Sequence, residues 1–202
     1  MDAAITTRFV DAARGKSLKS PQPDAQGDDI AMPETAEQYR NRMLGNLSDQ
    51  DPLKVQAATP QKLARLLKGV PGAKLRKRPA PGKWSIHEIV VHMADTEIVY
   101  GFRVRLILGA PGATLIGFDQ DQWVTALHYD RRHTAIALEQ FAALRKATVA
   151  MLKTISPVQW KHSGMHSERG EESVETTVSM MAGHDINHLA QIERILKPAK
   201  SR

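Results

Sequence analysis

The chain contains no cysteine. That excludes a disulfide scaffold, a thiolate nucleophile of its own, iron–sulfur clusters and any zinc site with sulfur ligands. A bound metal would have to be held by His, Asp or Glu. Long apolar runs are missing as well, and none approaches the roughly 18 residues of a membrane span. Residues 1–19 mix acidic and basic side chains without a continuous apolar segment, so they do not read as a secretory signal and a cytoplasmic location is expected. The sequon at Asn46-Leu47-Ser48 then has no use. Also missing are G-x-G-x-x-G, G-x-x-x-x-G-K-[ST], G-x-S-x-G and H-E-x-x-H, which removes the standard phosphate-cradle, nucleophile-elbow and zincin signatures.

What is present is an ordinary globular composition: 202 residues, 42% hydrophobic and 25% charged. One core with an extension is the expectation. Residues 1–33 hold four Lys/Arg against five Asp/Glu, which leaves 24 against 17, a net +7, on the rest. The densest basic cluster, Lys74, Arg76, Lys77, Arg78 and Lys83, is broken by Pro79, Pro81 and Gly82. It reads as a solvated loop rather than a helical face that enters a groove, so nucleic acid is not an expected partner.

Residues 1–33 carry Pro21, Pro23, Gly27 and Asp28-Asp29 with few aromatic or branched residues between Gly15 and Pro33. Ordering them would bury too little to offset the lost entropy, and they are expected to be a disordered extension. The folded domain is placed at residues 34–197. Glu34 to Leu47 can form a helix, and Thr59-Pro60 predicts an N-cap and first helical position ahead of Leu63, Leu66 and Leu67. Ser85, with Glu88 three residues on, has capping-box spacing and opens a helix to about Leu108. Gly109, Pro111 and Gly112 end it, and residues 113–132 form a long crossover with a short helix near Trp123. His133 to Ile155 and Ser173 to Leu196 show helical periodicity. No segment alternates with period two, and residues 161–172 read as a loop. The class is all-α: a four-helix bundle with a long crossover and an extra N-terminal helix.

Histidine spacing carries the chemistry. His87 and His92 are five residues apart, roughly 140° around a helix, so they cannot share a metal. His184 and His188 are four apart, about 40°, and lie on one face at a spacing suited to one ion. A polar stripe runs down the helix that holds His92: Ser85, Glu88, Asp95, Thr96 and Arg103 fall on its side. Burying such a set is costly unless each member is paired or coordinates an ion, so the stripe either faces solvent or lines a polar site inside the bundle, and the narrowness of the polar face favours the site. Glu88 and Asp95 are candidates to orient an imidazole or accept a proton, although Glu88 also serves as the capping-box acid. Gln191 and Asn187 could orient the C-terminal pair. Arg103 is a candidate for an anionic substrate group or a cofactor carboxylate; its alternative is a paired bundle arginine. His128, His133, His162 and His166, near helix ends or in loops, read as solvated or capping residues, and Trp123 and Trp160 as packing anchors.

The segment Lys83-Trp84-Ser85-Ile86-His87-Glu88-Ile89-Val90-Val91-His92-Met93-Ala94-Asp95, followed by Gly183-His184-Asp185-Ile186-Asn187-His188-Leu189-Ala190-Gln191-Ile192, resembles the DinB-like superfamily of bacterial four-helix proteins, which includes YfiT-like metal-dependent hydrolases. The resemblance covers roughly residues 50–197. It implies a bundle with a long crossover and one divalent metal, commonly zinc or nickel, held by His92, His184 and His188. It leaves the reaction open, because the superfamily also holds thiol-dependent S-transferases, isomerases and members without known activity.

Three neutral imidazoles leave the charge of an ion uncompensated and, on zinc, a fourth position open, the pattern of catalytic sites. A small-molecule substrate is expected, attacked by metal hydroxide or by a thiolate supplied from a low-molecular-weight thiol. A non-catalytic metal-binding or stress-associated bundle is the rival reading. Bundles with large apolar faces often pair, so a homodimer is an expected partner state.

Overall fold

A computed structural model describes residues 34–197, so the extension assigned to residues 1–33 lies outside the described residues. The elements follow in chain order as α1 (Ala36–Leu47), α2 (Pro52–Leu67), α3 (Gly72–Arg76), α4 (Ile86–Gly109), β1 (Thr114–Leu115), α5 (Gln120–Ala126), α6 (Thr134–Leu152), β2 (Ser163–His166), β3 (Gly170–Ser173) and α7 (Val174–Leu196). Short 3₁₀ turns at Tyr129–Arg131 and Gln159–Lys161 sit in the connections. None of the described helices is long and apolar enough to cross a membrane.

Helices α2, α4, α6 and α7 form a ring in which α2 and α4 each pack on both α6 and α7, and α1 lies along the outside of α7. This is the expected all-α four-helix bundle with an added N-terminal helix. The caps follow from local chemistry. Ser85 accepts from the Glu88 N–H while Glu88 reaches back to the Ser85 N–H, and Thr35 and Gln38 repeat the arrangement on α1. Helix α2 starts earlier than expected. Its N-cap is Asp51, whose side chain accepts from the N–H groups of Leu53 and Lys54, and Pro52 takes the first turn. Thr59-Pro60, the same kind of signal, lies inside the helix, whose caps are Asp51 and Lys68, and Thr59 donates its hydroxyl to the Val55 carbonyl.

The sequence expectation that 161–172 is a loop needs correction. β2 and β3 pair antiparallel, with Gly164 opposite Glu172 and His166 opposite Gly170, and β1 joins β2 in parallel, placing Leu115 beside His166. The strands are two to four residues long, too short for alternation to rise above noise. The sheet closes one end of the bundle against α4, where a Cβ on Gly164 would come within 2.8 Å of the Ala113 carbonyl oxygen.

The core has two apolar layers. Leu63, Ile89, Val90, Met93, Phe141 and Ile192 lie in one, and Val104, Ile107, Leu152, Val174 and Val178 in the other. Each fully buried side chain of this size contributes about 1.5–3 kcal/mol. Between the layers sits a buried ionic cluster. Arg145 of α6 donates to Glu97 of α4, to Asp185 of α7 and to the Gln56 carbonyl of α2, so one guanidinium touches all four bundle helices. Its face also stacks over Phe141, 4.8 Å from the ring centre.

Candidate functional site

His92 projects from the middle of α4, and His184 and His188 from successive turns of α7. All three are buried, and one nitrogen from each falls within 4.8 Å of the others. The Nε2 atoms of His92 and His188 both lie 3.1 Å from His184 Nε2. Two tetrahedral ligands on zinc, at about 2.0–2.1 Å each, would stand about 3.3 Å apart, so the spacing suits a shared ion.

The tautomers support the same arrangement. His188 donates from Nδ1 to Gln191 Oε1 at 2.9 Å, which leaves its Nε2 lone pair facing the other two rings. His184 Nδ1 is buried with no partner. Burial and repulsion by His188 keep His92 well below the ordinary imidazole range, and the same two causes, with His92 added, act on His184. Neutral rings facing one another through lone pairs have no acceptable pairwise hydrogen-bond pattern; a cation between them satisfies every one. The donor set therefore fits a divalent metal of the kind that nitrogen ligands hold.

A cleft leads from the surface to His184 and His188. Tyr39 and Arg42 of α1, Lys83 and Trp84 ahead of α4, Gln120 at the start of α5 and Asn187 of α7 line it. The Trp84 ring lies 4.8 Å from that of His92 and closes the inner wall. Helix α1 reaches this position because α7 presents Gly183 to it: a Cβ there would fall 1.7 Å from the Met43 carbonyl oxygen. Arg42 is held by Glu34, with two contacts of 2.8 Å, and donates to Asn187 Oδ1 at 3.3 Å, so Asn187 faces the cleft mouth rather than an imidazole.

The structure separates the other members of the α4 stripe from the histidines. Glu88, expected to orient an imidazole or accept a proton, bonds to Arg78 and to the Ser85 N–H and hydroxyl. Burial alone would raise its carboxyl, but Arg78 and Ser85 hold it below the usual range. Its capping role draws it to the helix start, one turn away from His92. Asp95 instead takes a 2.6 Å bond from Arg132 Nη1 in the crossover. Arg103 donates to the Ile116 carbonyl and lies over the Phe118 ring. Thr96 remains close to His92, its hydroxyl 3.4 Å from the ring nitrogens.

His87 confirms the helical geometry: it is turned away from His92, with its nitrogens on Thr134 Oγ1 and the Tyr129 carbonyl. Sequence reasoning missed Arg145, Glu97 and Gln56, whose partners lie tens of residues away. It also misjudged His166, which is buried in β2. The strand pairing was the only signal for it.

Residues 57–192 match the family model of the DinB superfamily. A protein of Oceanobacillus iheyensis named "Putative metal-dependent hydrolase" is 25% identical over 116 residues, covering 57% of this chain and 67% of that relative. A second from the same organism, with the same name, is 28% identical over 120 residues, or 59% of this chain and 68% of the relative. Among solved structures, YfiT from Bacillus subtilis, described as "a probable metal-dependent hydrolase with an unusual four-helix bundle topology", superposes with a TM-score of 0.67 at 19% identity, covering 85% of this chain and 90% of its own. The bundle, its crossover and the extent of the family match agree, and the chain belongs to the DinB superfamily.

Proposed function

We propose that the protein is a metal-dependent enzyme acting on a small molecule, with one divalent ion, zinc or nickel, held by His92, His184 and His188. The observation that carries this reading is the convergence of three buried imidazoles, two of which, His184 and His188, line a cleft. Bound there, the ion would act as a Lewis acid and bring the pKa of a water or thiol close to neutrality. Hydrolysis and transfer to a small-molecule thiol both follow from that chemistry; the names of the relatives favour hydrolysis. A thiol would come from outside, since the chain has no cysteine.

The chain's own residues supply the setting. Gln191 holds the His188 ring in its ligating tautomer, and Trp84 shields the inner face from water. Lys83 brings a cation to the mouth, where Arg42 is paired with Glu34. A purely structural metal would call for a fourth protein ligand, whereas the cluster among the described residues has three members and meets a cleft. Nucleic-acid binding is disfavoured because cations of the basic loop are engaged within the molecule: Arg76 donates to the carbonyls of Asp130 and Arg132, and Arg78 pairs with Glu88. A cytoplasmic homodimer belongs to the same proposal; Ile98 and Phe102, one turn apart on α4, are exposed apolar residues that a second copy could cover.

The test is elemental analysis of untagged protein purified without chelator, beside His92→Ala and His184→Ala, with folding followed by circular dichroism. About one ion per chain, lost in both variants while helicity is kept, is the expected result. Folded wild-type protein that takes up no zinc, nickel or manganese when these are supplied would overturn the reading.

A further inference from the structure

Away from the three histidines, the described residues include four buried side-chain nitrogens or hydroxyls without a hydrogen-bond partner, on Arg103, Tyr129, His162 and His166, and two of them, on Arg103 and His166, lie close together. His166 is 3% exposed. Its Nδ1 accepts from the Glu168 backbone N–H at 3.2 Å, which puts the ring proton on Nε2, and that nitrogen has no partner. Arg103 is in the same position: Nη2 donates to the Ile116 carbonyl while Nε is buried and unpartnered. A buried donor left unsatisfied is costly, so each calls for an acceptor.

The two groups meet at one seam. Leu115 of β1 pairs with His166 of β2, and Ile116, which holds the Arg103 guanidinium, is the next residue. Arg169, in the turn between β2 and β3, brings a second guanidinium. Burial, Arg169 and Arg103 together hold His166 down to about 4, so the imidazole is neutral and serves as a donor through Nε2. Burial and Arg169 lower Arg103 to about 10 against the opposing charges of Glu172, Tyr39 and Glu168, which leaves it charged at neutral pH. Of the acids nearby, Glu172 is taken up by Arg169 in a two-point ion pair, and Glu168 lies in the exposed turn against Gly117. Neither carboxylate bonds to Arg103 Nε or His166 Nε2, so both donors lack an acceptor, and the strong acceptor for a guanidinium is an anion.

Tyr39 joins this seam to the histidine cleft. It lines the cleft beside His184 and His188 and feels the charges of both Arg169 and Arg103. Eleven residues of α4 separate His92 from Arg103, about 16 Å of helical rise, and the arginine side chain leans back toward the helix start. His92 leans the same way, so the seam lies on the order of 10–15 Å from the imidazoles along the helix.

We propose that Arg103 and His166, with Arg169 beside them, form an anion-binding subsite that receives the carboxylate or phosphate of a small molecule whose other end lies at the three histidines. Only the placement of that other end rests on reading the histidines as a metal centre; the anion site stands on its own unpaired donors. An extended acid of this span binds with its charge in the seam and its reacting group in the cleft.

The experiment is titration of ¹⁵N-labelled full-length protein, as purified, with inorganic phosphate and separately with glutarate at constant ionic strength, following the His166 ring resonances. The wild type shows a saturable shift of the His166 Nε2–H signal, and the anion that saturates at lower concentration identifies the group. Arg103→Gln weakens that binding at least tenfold, Arg103→Lys restores part of it, and His92→Ala leaves it within twofold. A His166 signal unmoved by either anion overturns the proposal without recourse to any variant. Binding that survives Arg103→Gln but vanishes in His92→Ala overturns it too, by placing the anion at the histidines. Loss of metal in every preparation with anion binding intact would instead sink the metal reading alone.

Discussion

Arg145 Nη1 donates to the backbone carbonyl of Gln56 at 3.3 Å, the acceptor that Pro60, four residues further along α2, leaves without a helical N–H. The proline would otherwise strand a buried carbonyl. The same guanidinium neutralises Glu97 and Asp185, and the Gln56 side chain extends the network by accepting from Tyr100 Oη at 3.0 Å and donating to the Val178 carbonyl at 2.8 Å. Asp185 adjoins His184 in the chain, so this cluster also anchors the turn of α7 that presents two of the three imidazoles.

Arg145→Met should remove the shared ion-pair partner of two buried carboxylates, Glu97 and Asp185, and leave the Gln56 carbonyl without its donor. Breaking a buried pair in this way costs about 3–5 kcal/mol. Urea denaturation of the variant against wild type measures it; a loss below about 1 kcal/mol would show that the cluster is not holding the four helices together.

Glu97 governs a pH dependence. Burial outweighs Arg145 and raises its carboxyl from the ordinary 4.5 to about 7. Between those values the folded chain holds the proton more tightly than the unfolded chain, so this group's contribution is full below about 4.5 and is lost as pH rises through about 7. The buried histidines act in the opposite sense, because their depressed values make stability fall as pH drops below the ordinary imidazole range. Comparing Glu97→Gln with wild type isolates the carboxyl: the variant gains stability relative to wild type from pH 5 to pH 8. Parallel profiles would contradict the assignment.

Gly183→Ala should push α1 off α7. The added methyl meets the Met43 carbonyl at 1.7 Å, a backbone atom that no rotamer change can move aside. Overpacking of this kind costs about 1–3 kcal/mol. Because Tyr39 and Arg42 ride on α1, hydrogen exchange should quicken in Ala36–Leu47 while α4 and α6 stay protected. Unchanged exchange in α1 would mean the contact is relieved elsewhere.

Gln191→Leu keeps the size of the side chain and removes the acceptor of the His188 Nδ1 proton. Loss of such an orienting partner lowers metal affinity by about 10–100-fold, with little change in the stability of the metal-free chain. Competition with a chromogenic chelator gives the affinity, and equal affinities for variant and wild type would remove Gln191 from the site.

Much of the bundle was legible because its causes are local. The capping boxes at Thr35 and Ser85, the periodic apolar residues of α6 and α7, and the one-turn spacing of His184 and His188 all lie within a few residues of one another. Pro60 misled for the complementary reason. The carbonyl it leaves free is taken by an arginine 85 positions away, and nothing near residue 60 announces that pairing.

The sequence by itself determined where α1, α4, α6 and α7 begin, which histidines can share a helix face, and that no thiol of the chain can take part. Those properties depend on dihedral preference, side-chain period and residue identity, all present in any short window of the chain. Only the tertiary structure decided which polar residues of α4 face the imidazoles and which are drawn off, Glu88 to Arg78 and Asp95 to Arg132. It alone buried His166 beside Arg103. Hydrogen-bond partners brought together from distant elements are chosen by packing, because a buried polar group must find its partner in whichever neighbour the fold supplies.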